Sequence, residues 1–590
     1  MSTATASAAE RAAQREQQMK QGEELMALVA EREGVAKGLF WGKFVADWIF
    51  PYPKLSPAAE AEVRDAVAVT TKFCDEELDP VRIDREADIP KETIAGLARI
   101  GVLGMTAPKE IGGRGFSQMG YGKILEVIGG RCSSTAIFVN AHHSIGMRAL
   151  LLFGTEAQKR QWLPDMVVGK KLGAFALTEP QAGSDAANVQ TKATPTEDGS
   201  AYILSGEKRY ITNGAIADVL TVMARTPVPG KSTSAITAFL VTPDMPGFRV
   251  VEARKEKLGI RGTATGQLAF ENMRVPKENI LGPLGKGLKV ALTVLDFGRT
   301  TFGACCTGAA KTCVKLAVEH ATTRRQFNKT LSEFELVRQK LVRMHAWTYA
   351  MEAMTNVTAG LIDRGLEDYM LETAMLKVWS TERLWTIVND AFQIHGGAAY
   401  FTDKPLERLL RDHRINQIGE GANEVLLSFI ALSGMRKVGL YFKDVYEAVK
   451  KPWAGVGTIA GFMGQAAKLR VSSPPVPVSA SELQPYARRL SKLIAKFGAA
   501  VQTSLIRHRE PILDMQLEQE RLAGAAMELF ATACVLSRWD SEISQGAATQ
   551  SGAARWFVED SLNLAERNIR ELNSPIDKTL RKAADQILGA

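Results

Sequence analysis

Cysteine is scarce in this chain. Its 590 residues hold six, Cys74, Cys132, Cys305, Cys306, Cys313 and Cys534. None form a CxxC pair, and no nearby histidines complete a metal-ligand spacing. A zinc module and a disulfide framework are thereby excluded, and the thiols read as buried, reduced groups of an intracellular protein. Concentrated positive charge is also lacking. The net charge is +8, but no single run gathers it, so nucleic acid is not an expected partner. Polyanionic small molecules or an anionic membrane surface fit a diffuse excess. No apolar run approaches the ~20 residues that span a bilayer. The N-terminus, MSTATASAAERAAQREQQMKQ, has no apolar core for a secretory signal, and Glu10 and Glu16 argue against a transit peptide. The expected location is the cytoplasm, in a bacterial-type cell, with contact at the inner membrane surface.

What remains is a soluble globular profile, 46% hydrophobic and 23% charged, long enough for about three or four domains. Residues 1–54 read as an arm whose aromatic stretch, residues 36–54, lies on the next domain. Residues 55–170 are helical, with Ser56 capping a helix that has Pro57 at its first position, and further helices over 90–100, 117–130 and 141–152. From 171 to 285 the apolar period changes to two. Strands are predicted over 173–178, 201–205, 208–212, 219–225, 236–242, 248–253 and 266–270, as a compact β-barrel or small sandwich. Residues 286–440 return to a helical period and suit a four-helix bundle, with helices over 289–297, 303–323, 332–364, 368–394 and 425–433. Residues 441–479 hold a small apolar segment with basic flanks, 452–470, then a Pro-rich linker. That segment suits either an interfacial helix or one packed on the core. Residues 480–590 form a last helical set. The fold class is mainly α with a central β domain.

Chemistry is concentrated in five stretches. In 416–430, NQIGEGANEVLLSFI, Glu420 sits between glycines on a turn ahead of a helix that Asn423 is placed to cap. By itself Glu420 reads as a charge complementing a helix end. In 175–188, Gly183, Ser184 and Asp185 offer free N–H groups and a hydroxyl for a planar ring or a phosphate, or simply a turn. In 208–214, Tyr210 and Thr212 share a strand face that ends in an Asn-Gly hairpin turn. They suit the wall of a flavin-like ring, or a surface hairpin. Arg324 and Arg325 end a long helix and can take phosphate or complement the dipole. Gln393 to Gly397 is a helix C-terminus in which His395 reads as a cap.

Taken together, TEPQAGSD at 178–185, YITNG at 210–214, RRQF at 324–327, QIHGG at 393–397 and GEGANEV at 419–425 resemble the acyl-CoA dehydrogenases, over roughly 55–435. The stretches at 38–53 and 151–164, with the extension past 440, are similar to the very-long-chain branch. The resemblance implies FAD-dependent α,β-dehydrogenation of a long-chain fatty acyl-CoA in β-oxidation, by a homodimer with peripheral membrane contact that passes electrons to electron transfer flavoprotein. It makes Glu420 the base for the pro-R α-proton, with hydride leaving to flavin N5. The other position used for a base in related enzymes, just ahead of Arg299, is Gly298 here. The thioester oxygen would meet the Glu420 N–H, an oxyanion-hole arrangement. Phe175, Leu177, Thr178, Ser184, Tyr210 and Thr212 would line the flavin, with Ala422 and Glu424 beside it. Arg324, Gln326, Phe327, Gln393, Gly396 and Gly397 would reach the FAD of the partner subunit. Ser184, Asp296, Arg299 and Gly421 would contact the acyl-CoA. An acyl-CoA oxidase or nitroalkane-oxidase-like relative, and a non-catalytic scaffold member, are the alternative readings. The chain departs from the family at Tyr210 (usually Trp), Gln181 (usually small) and Ala422 (usually Thr). In the segment that floors the acyl pocket, Ser134 to Ser144, the long-chain branch uses glycine near Asn140, and a bulkier residue there bears on the chain-length limit.

Overall fold

The structure is a computed structural model that describes residues 34–230, 233–450 and 472–589. The expectations for 1–33 and for 452–470 lie outside the described residues. Ser56 caps as expected: its hydroxyl accepts the Ala59 N–H at 3.3 Å ahead of the Pro57–Glu76 helix. Val63, Ala66, Thr70 and Phe73 recur at helical spacing and are buried. They pack with Tyr121, Ile124 and Leu125 of the Gln118–Gly129 helix, which makes this N-terminal unit a separate small core. The expected helix over 141–152 is three joined pieces. Ser133–Val139 is α-helical, Asn140–Met147 is a π-helix and Arg148–Phe153 is α-helical again. A 3.6-residue period cannot announce a π turn, and such turns cluster at functional sites.

The β domain is one eight-stranded mixed sheet. The strands are β1 (Gly173–Ala176), β2 (Lys192–Pro195), β3 (Ala201–Thr212), β4 (Val219–Thr226), β5 (Ala235–Val241), β6 (Phe248–Glu252), β7 (Thr265–Pro276) and β8 (Ile280–Leu281). Their order is β6-β7-β3-β2-β4-β5-β8, with β1 parallel to β4. The two strands expected over 201–205 and 208–212 are one, carried past Gly206 by a shift in register against β7. The expected Asn213–Gly214 hairpin is absent, because β3 lies between β7 and β2 and does not pair with β4. Asn213 does adopt φ +62, but it turns the chain toward the N-terminal unit, its side-chain N–H donating to the Phe138 carbonyl at 3.1 Å.

The bundle is built on the helices Gly287–Thr323, Glu335–Asp363, Met370–His395 and Asn423–Lys450. The first is continuous for 37 residues, where the sequence predicts two helices. Its glycines serve contact rather than breakage: a Cβ at Gly303 would lie 2.8 Å from both Leu376 and Thr355. The aromatic stretch does not lie on the N-terminal unit. Val35, Leu39, Phe40 and Ile49 are fully buried in a core shared by the bundle and the C-terminal helices Gln484–His508, Gln516–Ser544 and Ser551–Arg570. Phe40 stacks edge-on to Phe497 at 5.1 Å, and burial of such a ring contributes about 2 kcal/mol. Lys37 pairs with Asp368 beneath it. The apolar runs are also longer than expected: the helical stretches Ser133–Phe153 and Asn423–Phe442 have the length and composition to cross a membrane. The first is mostly packed inside the fold.

Candidate active site

The chain reaches Glu420 through a tight left-handed turn. Glu420 has φ +56 and Gly421 φ +104. The Leu426 N–H donates to the Ala422 carbonyl, so Ala422 holds the cap position. Asn423, expected to cap, has another task. Its carboxamide oxygen accepts from the buried Lys377 ammonium at 2.8 Å, and its N–H groups donate to Thr381 and Glu382. The same Lys377 ammonium donates to the Gly421 carbonyl at 2.8 Å. One lysine thus holds both sides of the turn. Burial draws that ammonium down to about 8, with Glu420 opposing the shift.

Part of Glu420 opens on a cavity, while its carboxylate is enclosed. Oε1 accepts the Asn140 side-chain N–H at 3.0 Å; Oε2 is buried and has no hydrogen-bond partner among the described residues. Burial pushes this carboxyl from the ordinary 4.5 up to about 7, against the pull of Arg299, Lys377 and Asn140. Gly298 gives the carboxylate its room: a Cβ there would lie 2.5 Å from Oε2.

The cavity, about 1570 Å³, lies between the base turn, the π-helix, the sheet and the Gly287–Thr323 helix. That exceeds the roughly 300–1,000 Å³ of common ligand pockets. Phe175, Leu177, Thr178 and Ser184 line one wall. Tyr210 and Thr212 line it too, as expected, but together with Arg209 and Ile211. The strict alternation of β3 is broken at Tyr210, where φ is +61 and the register against β7 shifts. The Arg209 guanidinium stacks on the Tyr210 ring at 4.8 Å. The 178–185 loop is anchored from below by Glu179, whose carboxylate takes the Lys208 ammonium at 2.6 Å and the N–H groups of Gln190 and Thr191. Arg299, Gly421 and Ala422 complete the expected residues on the cavity wall.

The other expected residues lie elsewhere. Asp296 is buried beside the cavity, bonded to Arg299 at 3.0 Å and Thr373 at 2.9 Å. Burial raises it to about 6 despite Arg299. Glu424 is exposed in the first turn of its helix. Arg324, Gln326, Phe327, Gln393, Gly396 and Gly397 are all exposed. The structure gathers them on one surface, since His320 stacks on His395 at 4.3 Å at the ends of their two helices. His395 Nδ1 also meets the Ala391 carbonyl at 2.8 Å, within its own last turn. Phe327 crowns a two-residue turn, with Phe327 at φ +50 and Asn328 at φ +62, between paired Gln326 and Lys329. Lys377 and Thr301 belong to no motif. The one signal that points to either is a lysine inside the apolar run of a long helix. Among the described residues no group of three His, Cys, Asp or Glu is placed to hold a metal ion.

The chain matches four family descriptions: acyl-CoA dehydrogenase N-terminal domain over residues 59–170, middle domain over 174–273 and C-terminal domain over 285–435, then the ACAD9/ACADV C-terminal domain over 481–590. The human very long-chain specific acyl-CoA dehydrogenase is 35% identical over 91% of this chain and 84% of its own. An acyl-CoA dehydrogenase from Bacillus anthracis, solved in complex with FAD, is 26% identical, covers 91% of each chain and superposes with a TM-score of 0.78. The butyryl-CoA dehydrogenase of Megasphaera elsdenii is 34% identical over 64% of this chain and 98% of its own, with a TM-score of 0.60. The chain belongs to the acyl-CoA dehydrogenase family and is an FAD-dependent acyl-CoA dehydrogenase.

Proposed function

We propose that the protein dehydrogenates long-chain fatty acyl-CoA thioesters between Cα and Cβ, with Glu420 as the base. One observation carries this reading: a carboxyl raised to about 7 by burial, with an unpartnered oxygen, on the wall of a large cavity. A base of that strength is ionised enough near neutral pH to accept an α-proton and basic enough to hold it. Proton removal builds negative charge on the thioester oxygen. The Glu420 N–H, which donates to no backbone carbonyl among the described residues, is free to receive that charge. Arg299, next to the cavity, lowers the cost of negative charge in the same space.

The residues present fit FAD. The Thr178, Ser184 and Thr212 hydroxyls on the cavity wall have no hydrogen bond among the described residues. A Cβ at Gly183 would meet nothing within 4 Å, so the loop backbone can be approached closely. Phe175, Leu177 and Tyr210 offer apolar faces for a planar ring. Bound there, FAD supplies the hydride acceptor. The exposed Arg324, Gln326, Phe327, Gln393, Gly396 and Gly397 are read as reaching the FAD of a partner subunit in a homodimer, and electron transfer flavoprotein as the electron acceptor. Anaerobic bleaching of the flavin by acyl-CoAs of graded chain length tests the whole. Bleaching strongest with long chains is expected, and none with any chain sinks the proposal. Slow reoxidation of the bleached flavin by oxygen separates a dehydrogenase from an oxidase.

A further inference from the structure

Behind Glu420 stands a short hydrogen-bonded chain that proton abstraction does not itself require. Asn140 opens the π-helix. Its side-chain nitrogen donates to Glu420 Oε1 at 3.0 Å. Its oxygen accepts the Thr301 hydroxyl at 2.5 Å. A carboxamide has a donor end and an acceptor end of nearly the same shape, and only its partners decide which way it points. Here the Thr301 hydroxyl, buried on the helix that also bears Gly298 and Arg299, sits at the acceptor end, its one proton shared with the Gly298 carbonyl at 2.8 Å and the Phe297 carbonyl at 3.2 Å. The donor end faces the Glu420 carboxylate, which when ionised can only accept.

We propose that Asn140 and Thr301 form a positioning relay that holds the Glu420 carboxylate by one oxygen and favours its charged form, leaving Oε2 for the substrate. The proposal rests on the reading of Glu420 as the base. The other groups facing Glu420 are Arg299 from the Gly287–Thr323 helix, Lys377 from the Met370–His395 helix and the Cys305 thiol. Arg299 is already committed to Asp296, and Lys377 to Gly421 and Asn423. Both attract the carboxylate as charges outside hydrogen-bonding reach, whereas among the described residues its one hydrogen bond comes from Asn140. Asn140 is therefore the group that fixes the orientation of the carboxylate as well as its charge. Asn140 also lines the cavity, so its contact with Glu420 stands beside the expectation that it bears on the floor of an acyl pocket.

The test uses the full-length holoenzyme in two readouts. One is the acid limb of the pH profile of kcat. The other is infrared titration of the Glu420 carboxyl, identified as the band lost in Glu420→Gln. Asn140→Leu keeps the size and removes the donor, and is expected to move both midpoints up by about one pH unit. Asn140→Ala serves the same purpose if the leucine variant does not fold. Thr301→Val, which frees the amide to turn, is expected to shift the midpoints in the same direction by less, and Thr301→Ser to restore them. The double variant Asn140→Leu with Thr301→Val is expected to shift no further than Asn140→Leu alone. An unmoved midpoint in folded, flavin-replete Asn140→Leu overturns the relay and leaves the base assignment standing. Full activity in Glu420→Gln overturns the base assignment and the relay with it.

Discussion

Two groups of motif residues stand in this molecule under opposite conditions. Around Glu420 each polar group is sealed in and most are paired: Lys377 with Gly421 and Asn423, Arg299 with Asp296, Asn140 with Thr301. At the far ends of the Gly287–Thr323 and Met370–His395 helices, Arg324, Gln326, Phe327, Gln393, Gly396 and Gly397 are open to solvent. The interior group is complete within one chain, and its burial converts an ordinary carboxyl into a base near neutrality. The exterior group creates no such field. An aromatic ring 88% exposed on a tight turn gains little until another surface covers it. Motifs of equal strength in a sequence can therefore mark a reactive interior or one half of a contact.

The largest expected effect lies in the interior. Glu420→Gln keeps the shape and the flavin but removes the base, so kcat is expected to fall by about a thousandfold or more, measured as the single-turnover rate of flavin bleaching. Retained bleaching breaks the comparison at its centre. Gly298→Ala comes next. Its Cβ lies 2.5 Å from Oε2, so the carboxylate must move. A displacement of that kind is expected to cost on the order of a hundredfold in kcat, with the flavin spectrum unchanged.

The interior also opposes stability once its carboxyl ionises. The Glu420 carboxyl is raised from 4.5 to about 7. Its contribution to stability is fully present below about 4.5 and is lost as pH rises through about 7, the same window in which activity appears. Glu420→Gln is thus expected to melt higher than the parent at pH 8 and to match it at pH 4, by calorimetry. Lys377→Met, by contrast, leaves the Gly421 carbonyl and Asn423 without their buried cation. A loss of about 3 kcal/mol in denaturant unfolding is expected, together with a higher Glu420 midpoint, since Lys377 lowers it.

These contrasts explain how much of the fold and of the site is legible in the amino-acid order alone. Glu420, the 178–185 loop and the Tyr210–Thr212 stretch are legible because each is local, a turn or strand end with its chemistry in a few adjacent letters. The Asn140 contact is not, since 280 residues separate it from Glu420 and a π turn sets its direction. Lys377 looks like any lysine in a helix. The Asn213–Gly214 hairpin fails for the converse reason: the local signal for a left-handed residue is right, but sheet order decides where the chain goes next. Glycines at 298 and 303 suggest a break in a helix that they instead allow to pack closely.

The smallest expected effect sharpens the exterior half. Within its own chain the Phe327 ring has an aromatic neighbour in Phe334, at 6.3 Å and edge-on, and is otherwise open. If the chain acts alone, Phe327→Ala is a surface change, worth within about 0.5 kcal/mol of stability. In the homodimer proposed here the same ring is covered, and its removal loosens what covers it. The discriminating measurement is flavin retention on dilution, followed beside the oligomeric state by light scattering. Faster flavin loss with an unchanged Glu420 titration places Phe327 at a cofactor held between chains. Unchanged retention in a stable dimer leaves the ring as surface and removes it from the FAD site. Because Glu420 lies in the interior group, its midpoint should not move in either case, and a shift there joins the two groups that the structure holds apart.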